Sequence, residues 1–266
     1  MRTFMTILSV LACTVLLACG HYYWKNKTTV SAQNTVNEKA SGKVVKTDKA
    51  GKGSIDLSPL SSKWPKEAQE SFKQSIADGR KFKFAIVGSE SLGKETGGWS
   101  ILLSKTLRET FGDNRIEVRI FEYPVNSLEF AQQGHMGEVA QYVPDLVLFE
   151  PFNENDNGFV NPEDNHATIM SFISALKAEN NTVSVIIQPS HPKVSVYYPG
   201  QVQELEQFAE REGLPYINHW PNWPDTDNNE LRNYVENEQS TPNEKGHAIW
   251  FETLKEYFIA EKQSSN

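Results

Sequence analysis

From about Leu57 onward, short apolar runs alternate with longer amphipathic stretches, and this alternation restricts the chain to few folds. Five runs have the length of strands: Lys83–Val87, Ile116–Phe121, Leu146–Phe149, Val183–Ile187 and Tyr216–Ile217. The amphipathic stretches lie near residues 64–78, 98–111, 126–141, 163–179, 201–212 and 245–260. Strands that alternate with helices form parallel sheets with helices on both faces. The pattern therefore predicts a three-layer α/β/α domain around a five-stranded parallel sheet.

In open parallel sheets, ligands bind at the carboxyl ends of the strands. The loops that follow the five predicted strands are therefore the places where a functional site is expected. These loops follow Val87, Phe121, Phe149, Ile187 and Ile217, and the first and fourth of them contain the serines and the histidine discussed below.

Charge divides the chain into two unlike parts. Residues 1–56 hold eight basic and three acidic side chains, so that the formal net charge of −8 is the sum of +5 there and −13 over residues 57–266. An acidic domain argues against nucleic-acid binding, which calls for a basic surface. Two cysteines are too few for a disulfide scaffold, and a mean hydropathy of −0.51 excludes a polytopic membrane protein.

The N-terminus has the pattern of an export signal. Phe4 to Ala18 is almost continuously apolar, follows Arg2 and ends in Leu-Leu-Ala-Cys at Cys19. This ending resembles the bacterial lipobox, which implies a lipoprotein signal peptide over residues 1–19 and a lipid on Cys19. The alternative is an uncleaved anchor running from Met5 to Trp24. Both readings place the rest of the chain outside the cytoplasm, at a membrane surface.

Residues 20–56 are predicted to be a flexible basic tether, and residues 57–266 to be the globular domain. Lys, Thr, Ser, Asn, Gly and Ala dominate the stretch 25–56, which has too few large apolar side chains to offset the entropy of ordering. Its positive charge is compatible with attraction to anionic lipid or wall polymer, and equally with a merely solvated linker.

The loop after the first predicted strand allows two chemistries. Gly88, Gly93 and Lys94 have the Gly-x4-Gly-Lys spacing of a phosphate-binding loop, but Glu95 stands where Ser or Thr should bind magnesium. The other possibility is a serine nucleophile on the turn between strand and helix, where amides at the start of the helix can face an oxyanion.

The second possibility is supported by a resemblance to the SGNH (GDSL-like) hydrolase family. Ser91-Leu92 resembles the Ser-Leu step of that family's first block, Asp145 to Glu154 resembles its third block, and Thr241 to His247 resembles its fifth. The resemblance covers roughly residues 82–260. It implies a flavodoxin-like α/β/α fold, Ser91 as the nucleophile, and Asn153 as an oxyanion donor. Asn126 is the nearest match to the oxyanion residue of the second block.

The sequence departs from the family where a base is needed. Thr241 stands at the position of the catalytic His, and the acid three residues earlier is Glu238. If the domain is an enzyme, the base must come from elsewhere, and His191 and His219 follow the fourth and fifth predicted strands. The first block lacks its Asp, so that Ser89 remains an alternative to Ser91. His247 matches a family position that usually packs.

Two functions follow from the resemblance. The first is an extracytoplasmic serine esterase or acyltransferase that acts on acyl esters of envelope glycans or lipids and is held at the membrane by its N-terminal lipid or anchor. The second is a catalytically degenerate SGNH-like domain that binds an envelope polymer or protein. The sequence shows no cofactor motif and no zinc-like His/Cys cluster, so no cofactor or metal is expected.

Overall fold

The computed structural model of the protein describes residues 57–236 and 240–261. The predicted signal peptide, Cys19, the tether up to residue 56 and Glu238 lie outside the described residues. Four strands are present in the described part: β1 (Phe82–Gly88), β2 (Ile116–Glu122), β3 (Leu146–Phe149) and β4 (Ser184–Ile187). Its helices are α1 (Lys66–Ala77), α2 (Trp99–Phe111), α3 (Ser127–Gln132), α4 (His135–Gln141), α5 (Asn153–Asp156), α6 (Pro162–Glu179), α7 (Tyr198–Arg211) and α8 (Glu244–Phe258). None of the helices among these residues is long and apolar enough to span a membrane.

The predicted three-layer α/β/α architecture with a parallel sheet is confirmed. The strands pair in the order β2-β1-β3-β4, and all three pairings are parallel. The first strand, β1, lies inside the sheet, with β2 added on one side and β3 and β4 on the other. The loops after β1 and β3 therefore begin at neighbouring strands. The loop after β4 lies one strand further along the same edge.

The predicted fifth strand is wrong as a strand. Tyr216 makes a single parallel bridge to Ile187, with backbone bonds from Ile187 N to Pro215 O and from Ile217 N to Ile187 O. The segment occupies the expected place beside β4, but two apolar residues are too few to continue a ladder. The described sheet therefore has four strands.

The strands separate two apolar cores by simple alternation, because successive side chains of a strand point to opposite faces. Phe84 and Ile86 of β1 face one core, which is closed by helices α1, α2 and α8. Ala85 and Val87 face the other, which is closed by α3, α4, α6 and α7. Burial on both faces explains why β1, β3 and β4 read as nearly continuous apolar runs, whereas the edge strand β2 alternates apolar residues with Glu117 and Arg119.

Local signals set several helix boundaries. The predicted helix 126–141 is two helices, α3 and α4, because the chain turns at Gly134 with φ = +84°, a left-handed conformation that glycine adopts without strain. Asn126 caps α3 in a capping box with Glu129, and Asn243 caps α8 by accepting from the amides of Lys245 and Gly246.

Candidate active site

Ser91 lies on a single 3-10 turn, Glu90–Leu92, directly after the carboxyl end of β1. The Ser89 hydroxyl caps this turn by accepting the Ser91 N–H at 3.3 Å. Gly93 ends the turn at φ = +69°, where a Cβ would lie 2.6 Å from the His247 ring. The turn therefore presents the Ser91 side chain at the sheet edge, as expected for a nucleophile between strand and helix.

His191 meets Ser91 although the two residues are 100 positions apart. The Ser91 Oγ lies 3.1 Å from His191 Nδ1, and the residues are 1% and 0% exposed. With the imidazole proton on Nε2, Nδ1 accepts the hydroxyl proton of Ser91, which is the geometry that a general base requires. The Ser190 Oγ lies 3.3 Å from the same nitrogen. The base expected after the fourth strand is thus within hydrogen-bond reach of the expected nucleophile.

His219 supports the loop after β4 that carries His191. Its Nε2 donates to Pro189 O at 3.1 Å, and its Nδ1 accepts the Trp223 indole N–H at 3.0 Å, so that both ring nitrogens are engaged. Burial lowers the pKa of His219 to about 3, which keeps the ring neutral. The ring stacks on Trp250 with centroids 4.1 Å apart. His219 therefore supports the loop that carries His191 and does not face Ser91.

Tryptophan side chains fix the backbone on both sides of the pair. The Trp99 indole N–H donates to Ser91 O at 2.9 Å, and the Trp220 indole N–H donates to Ser190 O at 2.8 Å. Trp99 also stacks on Trp250, with centroids 4.8 Å apart. These indole donors restrict both the turn Glu90–Leu92 and the loop after β4 that carries His191. The surroundings therefore hold the Ser91–His191 contact in place.

His247 packs under the nucleophile turn, as its family position implies. Its Nδ1 accepts the Trp99 backbone N–H at 3.3 Å, and its ring fills the space that a side chain at Gly93 or Gly98 would need. Burial lowers the pKa of His247 to about 4. The His247 ring covers Gly93 and Gly98, and the Lys94 N–H donates to Glu122 Oε2 at 2.7 Å, which disfavours the phosphate-loop alternative.

Asn153 begins α5 at the end of β3, where the resemblance expects an oxyanion donor. The side chain is buried, and its Oδ1 has no hydrogen-bond partner among the described residues. The preceding Phe152 has φ = +62°, a strained conformation for a large side chain, and it is fully buried. The core thus enforces the sharp turn that brings Asn153 to the edge of the sheet.

Asn126 serves a local structural role. Its Oδ1 accepts the Glu129 N–H at 2.9 Å, and its own N–H donates to Glu129 Oε2 at 3.0 Å. The next residue, Ser127, donates its N–H to Asp156 Oδ1 at 2.8 Å, which joins α3 to the helix that carries Asn153. The structure shows no bond from Asn126 to Ser91.

Thr241 lies near the turn Glu90–Leu92 that carries Ser91. It lines one groove together with Glu90 and Gly93, and its carbonyl accepts the Glu236 N–H at 2.8 Å. The groove is strongly acidic, with five carboxylates along it: Glu90, Glu95, Glu122, Glu236 and Glu244. A threonine in this position supplies no base.

Glu150 is a buried carboxylate at the site that the sequence analysis did not single out. It ends the run that forms β3, and its Oε2 accepts the Ser89 N–H at 2.8 Å while Oε1 has no partner among the described residues. A Cβ at Gly88 would lie 2.8 Å from the Glu150 Cβ, so only glycine fits there. Burial raises the pKa of Glu150 to about 7. The signal in the sequence that could have indicated Glu150 is an acidic residue directly after a four-residue apolar run.

An ion pair that the sequence analysis also missed joins the loops after β3 and β4. The Lys193 ammonium contacts the Glu154 carboxylate, and both side chains are largely buried. Neighbouring polar residues are engaged as well, since Asn155 donates to Glu90 at 3.1 Å and Asp156 accepts from Asn165 at 2.6 Å. Within residues 57–236 and 240–261, no cluster of three His, Cys, Asp or Glu side chains could hold a metal ion. Sequence offers no signal for a pairing between residues 39 positions apart.

The chain is similar in structure to several solved esterases and lipases. A GDSL-like lipase from Bacteroides thetaiotaomicron matches with a TM-score of 0.50 and 15% identity over 70% of this chain and 96% of its own. A carbohydrate esterase family 3 protein from Talaromyces cellulolyticus matches with a TM-score of 0.53 and 13% identity, over 65% and 94%. A catalytic mutant of an acetylxylan esterase from Geobacillus stearothermophilus matches with a TM-score of 0.52 and 14% identity, over 66% and 94%. No protein-family profile and no curated protein sequence matches the chain.

These similarities define the fold. The domain has the SGNH (GDSL-like) hydrolase fold, and the resemblance seen in the sequence blocks is confirmed at that level. At identities of 13–15%, the solved structures do not transfer their substrates to this chain.

Proposed function

We propose that the domain is a serine ester hydrolase or acyltransferase in which Ser91 is the nucleophile and His191 is the base. The observation that carries the proposal is the 3.1 Å contact between Ser91 Oγ and His191 Nδ1. A serine hydroxyl is a weak nucleophile unless a base lies in hydrogen-bond reach. Burial of both residues excludes water and strengthens the bond between them.

The geometry supports a two-step acyl transfer. Ser91 Oγ attacks the acyl carbon while its proton moves to His191 Nδ1, and the alcohol of the ester leaves with that proton. The tetrahedral oxyanion is stabilised by the Asn153 amide and by the Ser91 N–H. In the resting structure this N–H makes only a 3.3 Å bond to Ser89 Oγ, which an oxyanion can replace. Water or an acceptor alcohol, activated by His191, then releases the acyl group from Ser91.

The acidic groove bears on the substrate class. Five carboxylates line the groove beside the nucleophile turn, so an anionic polymer is repelled from this approach. Neutral acyl esters of envelope glycans or lipids remain the substrates that fit.

Substrates in the cell envelope lie outside the cytoplasm, so the enzyme must be exported to reach them. We propose that lipidation of Cys19 holds it at the outer face of the membrane. With a clickable palmitate analogue fed to expressing cells, the wild-type chain is then expected to take up label and Cys19→Ser to take up none, whereas an uncleaved anchor would leave both unlabelled.

The test of the reaction uses the full chain with p-nitrophenyl acetate and a fluorophosphonate probe. Ser91→Ala is expected to abolish labelling and to lower kcat/KM by roughly a thousandfold or more, and His191→Gln by a similar factor. The matched control is Ser100→Ala, which removes another buried hydroxyl, on α2, that has no partner among the described residues. If the wild-type chain neither hydrolyses the ester nor reacts with the probe, the proposal is wrong, and a degenerate binding domain becomes the better description.

A further inference from the structure

Three apolar side chains stand out by their exposure. Phe159 is 85% exposed, Val196 is 87% exposed and Tyr197 is 79% exposed, whereas no other large apolar side chain in the described ranges is more than 38% exposed. Single exposed apolar residues are ordinary on protein surfaces, but a group of them marks an interaction site. We call these three residues the apolar lip.

The lip residues lie on two loops that meet at one edge of the sheet. Phe159 follows α5, which begins after β3, and the other two residues lie between β4 and α7. The ion pair between Lys193 and Glu154 joins these loops. Val160, next to Phe159, lines the same small cavity as Gln201, which lies one helical turn after Tyr197. The two segments that carry the lip are therefore held side by side at this edge of the sheet.

The lip lies on the loops that also carry His191 and Asn153. Val196 comes five residues after His191 in the same loop, and Tyr198, the neighbour of Tyr197, is fully buried. The Lys193 ammonium lies 5.5 Å from the Tyr198 ring, and Lys193 pairs with the helix that begins at Asn153. A surface that covers the lip thus lies against the loops that carry the base and the oxyanion donor.

The backbone holds the lip outward. The Ser195 hydroxyl accepts the N–H groups of Tyr197 and Tyr198 at 3.3 and 3.2 Å, and Tyr197 O accepts the Gly200 N–H at 3.1 Å. These bonds build the turn that enters α7 and fix the two side chains on its outer side. The exposure of the lip is therefore a property of a hydrogen-bonded turn.

Charge and chain connectivity indicate the occupant. Residues 157–162 contain no charged side chain and residues 192–202 contain only Lys193, in a domain with a net charge of −13. The domain also follows an apolar N-terminal segment, Phe4 to Ala18, from which the sequence predicts attachment to a membrane. A bilayer takes up exposed Phe and Val, and Tyr is favoured at its interface.

We propose that the apolar lip enters the interface of a lipid bilayer and thereby brings the loops that carry His191 and Asn153 against the membrane. The substrate class is then an acyl ester carried by a membrane lipid. This substrate assignment rests on the proposed esterase function, whereas the contact with the bilayer does not.

The contact is tested with the full chain in phosphatidylcholine vesicles that contain a phosphatidylcholine with a diazirine on its acyl chain. After illumination, mass spectrometry should find lipid adducts on the peptides that contain Phe159 and Val196–Tyr197, and none on those that contain Ile76 or Met170. Adducts confined to residues 1–24 would overturn the proposal. So would a dimer in solution that is lost in the variant Phe159→Ser/Val196→Ser/Tyr197→Ser, since the lip would then bind a second copy.

The substrate class is tested by the ratio of two rates, hydrolysis of an ester lipid in vesicles and hydrolysis of soluble p-nitrophenyl acetate. The triple Ser variant is expected to lower this ratio about tenfold, because less apolar area leaves water at the bilayer. The control Ile76→Ser/Met170→Ser should leave it unchanged. An unchanged ratio in the triple variant would refute the assignment to lipid esters. Lip adducts on a chain without any esterase activity would refute the proposed function and leave the bilayer contact standing.

Discussion

Glu150 makes the stability of the domain depend on pH in a way that one substitution isolates. Burial raises the pKa of this carboxyl from 4.5 to about 7 in the folded protein, although the Ser89 N–H stabilises the charged form. Between these two pH values the folded state holds a proton that the unfolded state releases. The free energy of unfolding therefore falls as the pH rises from about 4.5 to about 7, by about 3 kcal/mol from this group.

The perturbation is Glu150→Gln, which keeps an oxygen to accept the Ser89 N–H but carries no charge at any pH. We expect the variant to gain about 3 kcal/mol relative to the wild type between pH 4.5 and pH 8. His219 and His247, whose pKa values are lowered to about 3 and about 4, act in the opposite direction by favouring the folded state as the pH rises toward 6.5. They are present in both proteins and cancel in the difference.

The assay is equilibrium unfolding in urea at a series of pH values, followed by tryptophan fluorescence, for wild type and variant. The control is Glu109→Gln, because the Glu109 side chain is 66% exposed and its removal should give a difference that does not change with pH. A free-energy difference between wild type and Glu150→Gln that stays flat across this range would refute the reasoning. The carboxylate would then be solvated or paired in the folded protein.

Three further outcomes are expected. Trp99→Phe removes the indole bond to Ser91 O and should lower kcat/KM for p-nitrophenyl acetate about tenfold. The control Trp64→Phe removes an indole bond to another backbone carbonyl and should leave kcat/KM unchanged. Equal losses in the two variants would contradict a positioning role for Trp99. Val143 has φ = +53° two residues after the end of α4, so Val143→Gly should raise the free energy of unfolding by about 1 kcal/mol, and a lower melting temperature would count against strain there. Lys193→Met leaves the largely buried Glu154 carboxylate without its partner and should lower the free energy of unfolding in urea by about 2 kcal/mol, a value between those for exposed and buried pairs. An unchanged urea midpoint would show that the pair does not stabilise the fold.

The sequence predicted the features that depend on local pattern. The four strands of the sheet appear within one residue of their predicted ends, because burial on both faces makes β1, β3 and β4 nearly continuous apolar runs and because β2, at the edge, alternates apolar with polar residues. The break between α3 and α4 was missed, although Gly134 stands at it, and the fifth strand was assigned to two residues that make one bridge. Asn126 illustrates a local signal passed over, since Asn followed three residues later by Glu is a capping box.

The candidate site also has a part that the sequence predicts and a part that only the structure shows. The place of Ser91 after β1 and of Asn153 after β3 follows from the sequence blocks and from the rule that sites lie at the carboxyl ends of parallel strands. The choice between His191 and His219 does not, because both follow apolar runs and both are fully buried. Only the packed structure shows that His219 is engaged through both nitrogens while His191 reaches the serine.

By itself, the sequence determined the layered α/β architecture, the edge of the sheet where chemistry is expected and the loop that carries Ser89 and Ser91, since each depends on periodicity or on residues close together in the chain. The tertiary structure alone decided that His191 meets Ser91 while Ser89 caps the turn, that a carboxylate is buried beneath the turn, and that three exposed apolar side chains lie on neighbouring loops. These are contacts between residues that are far apart in the chain, and the packing of helices against the sheet fixes them.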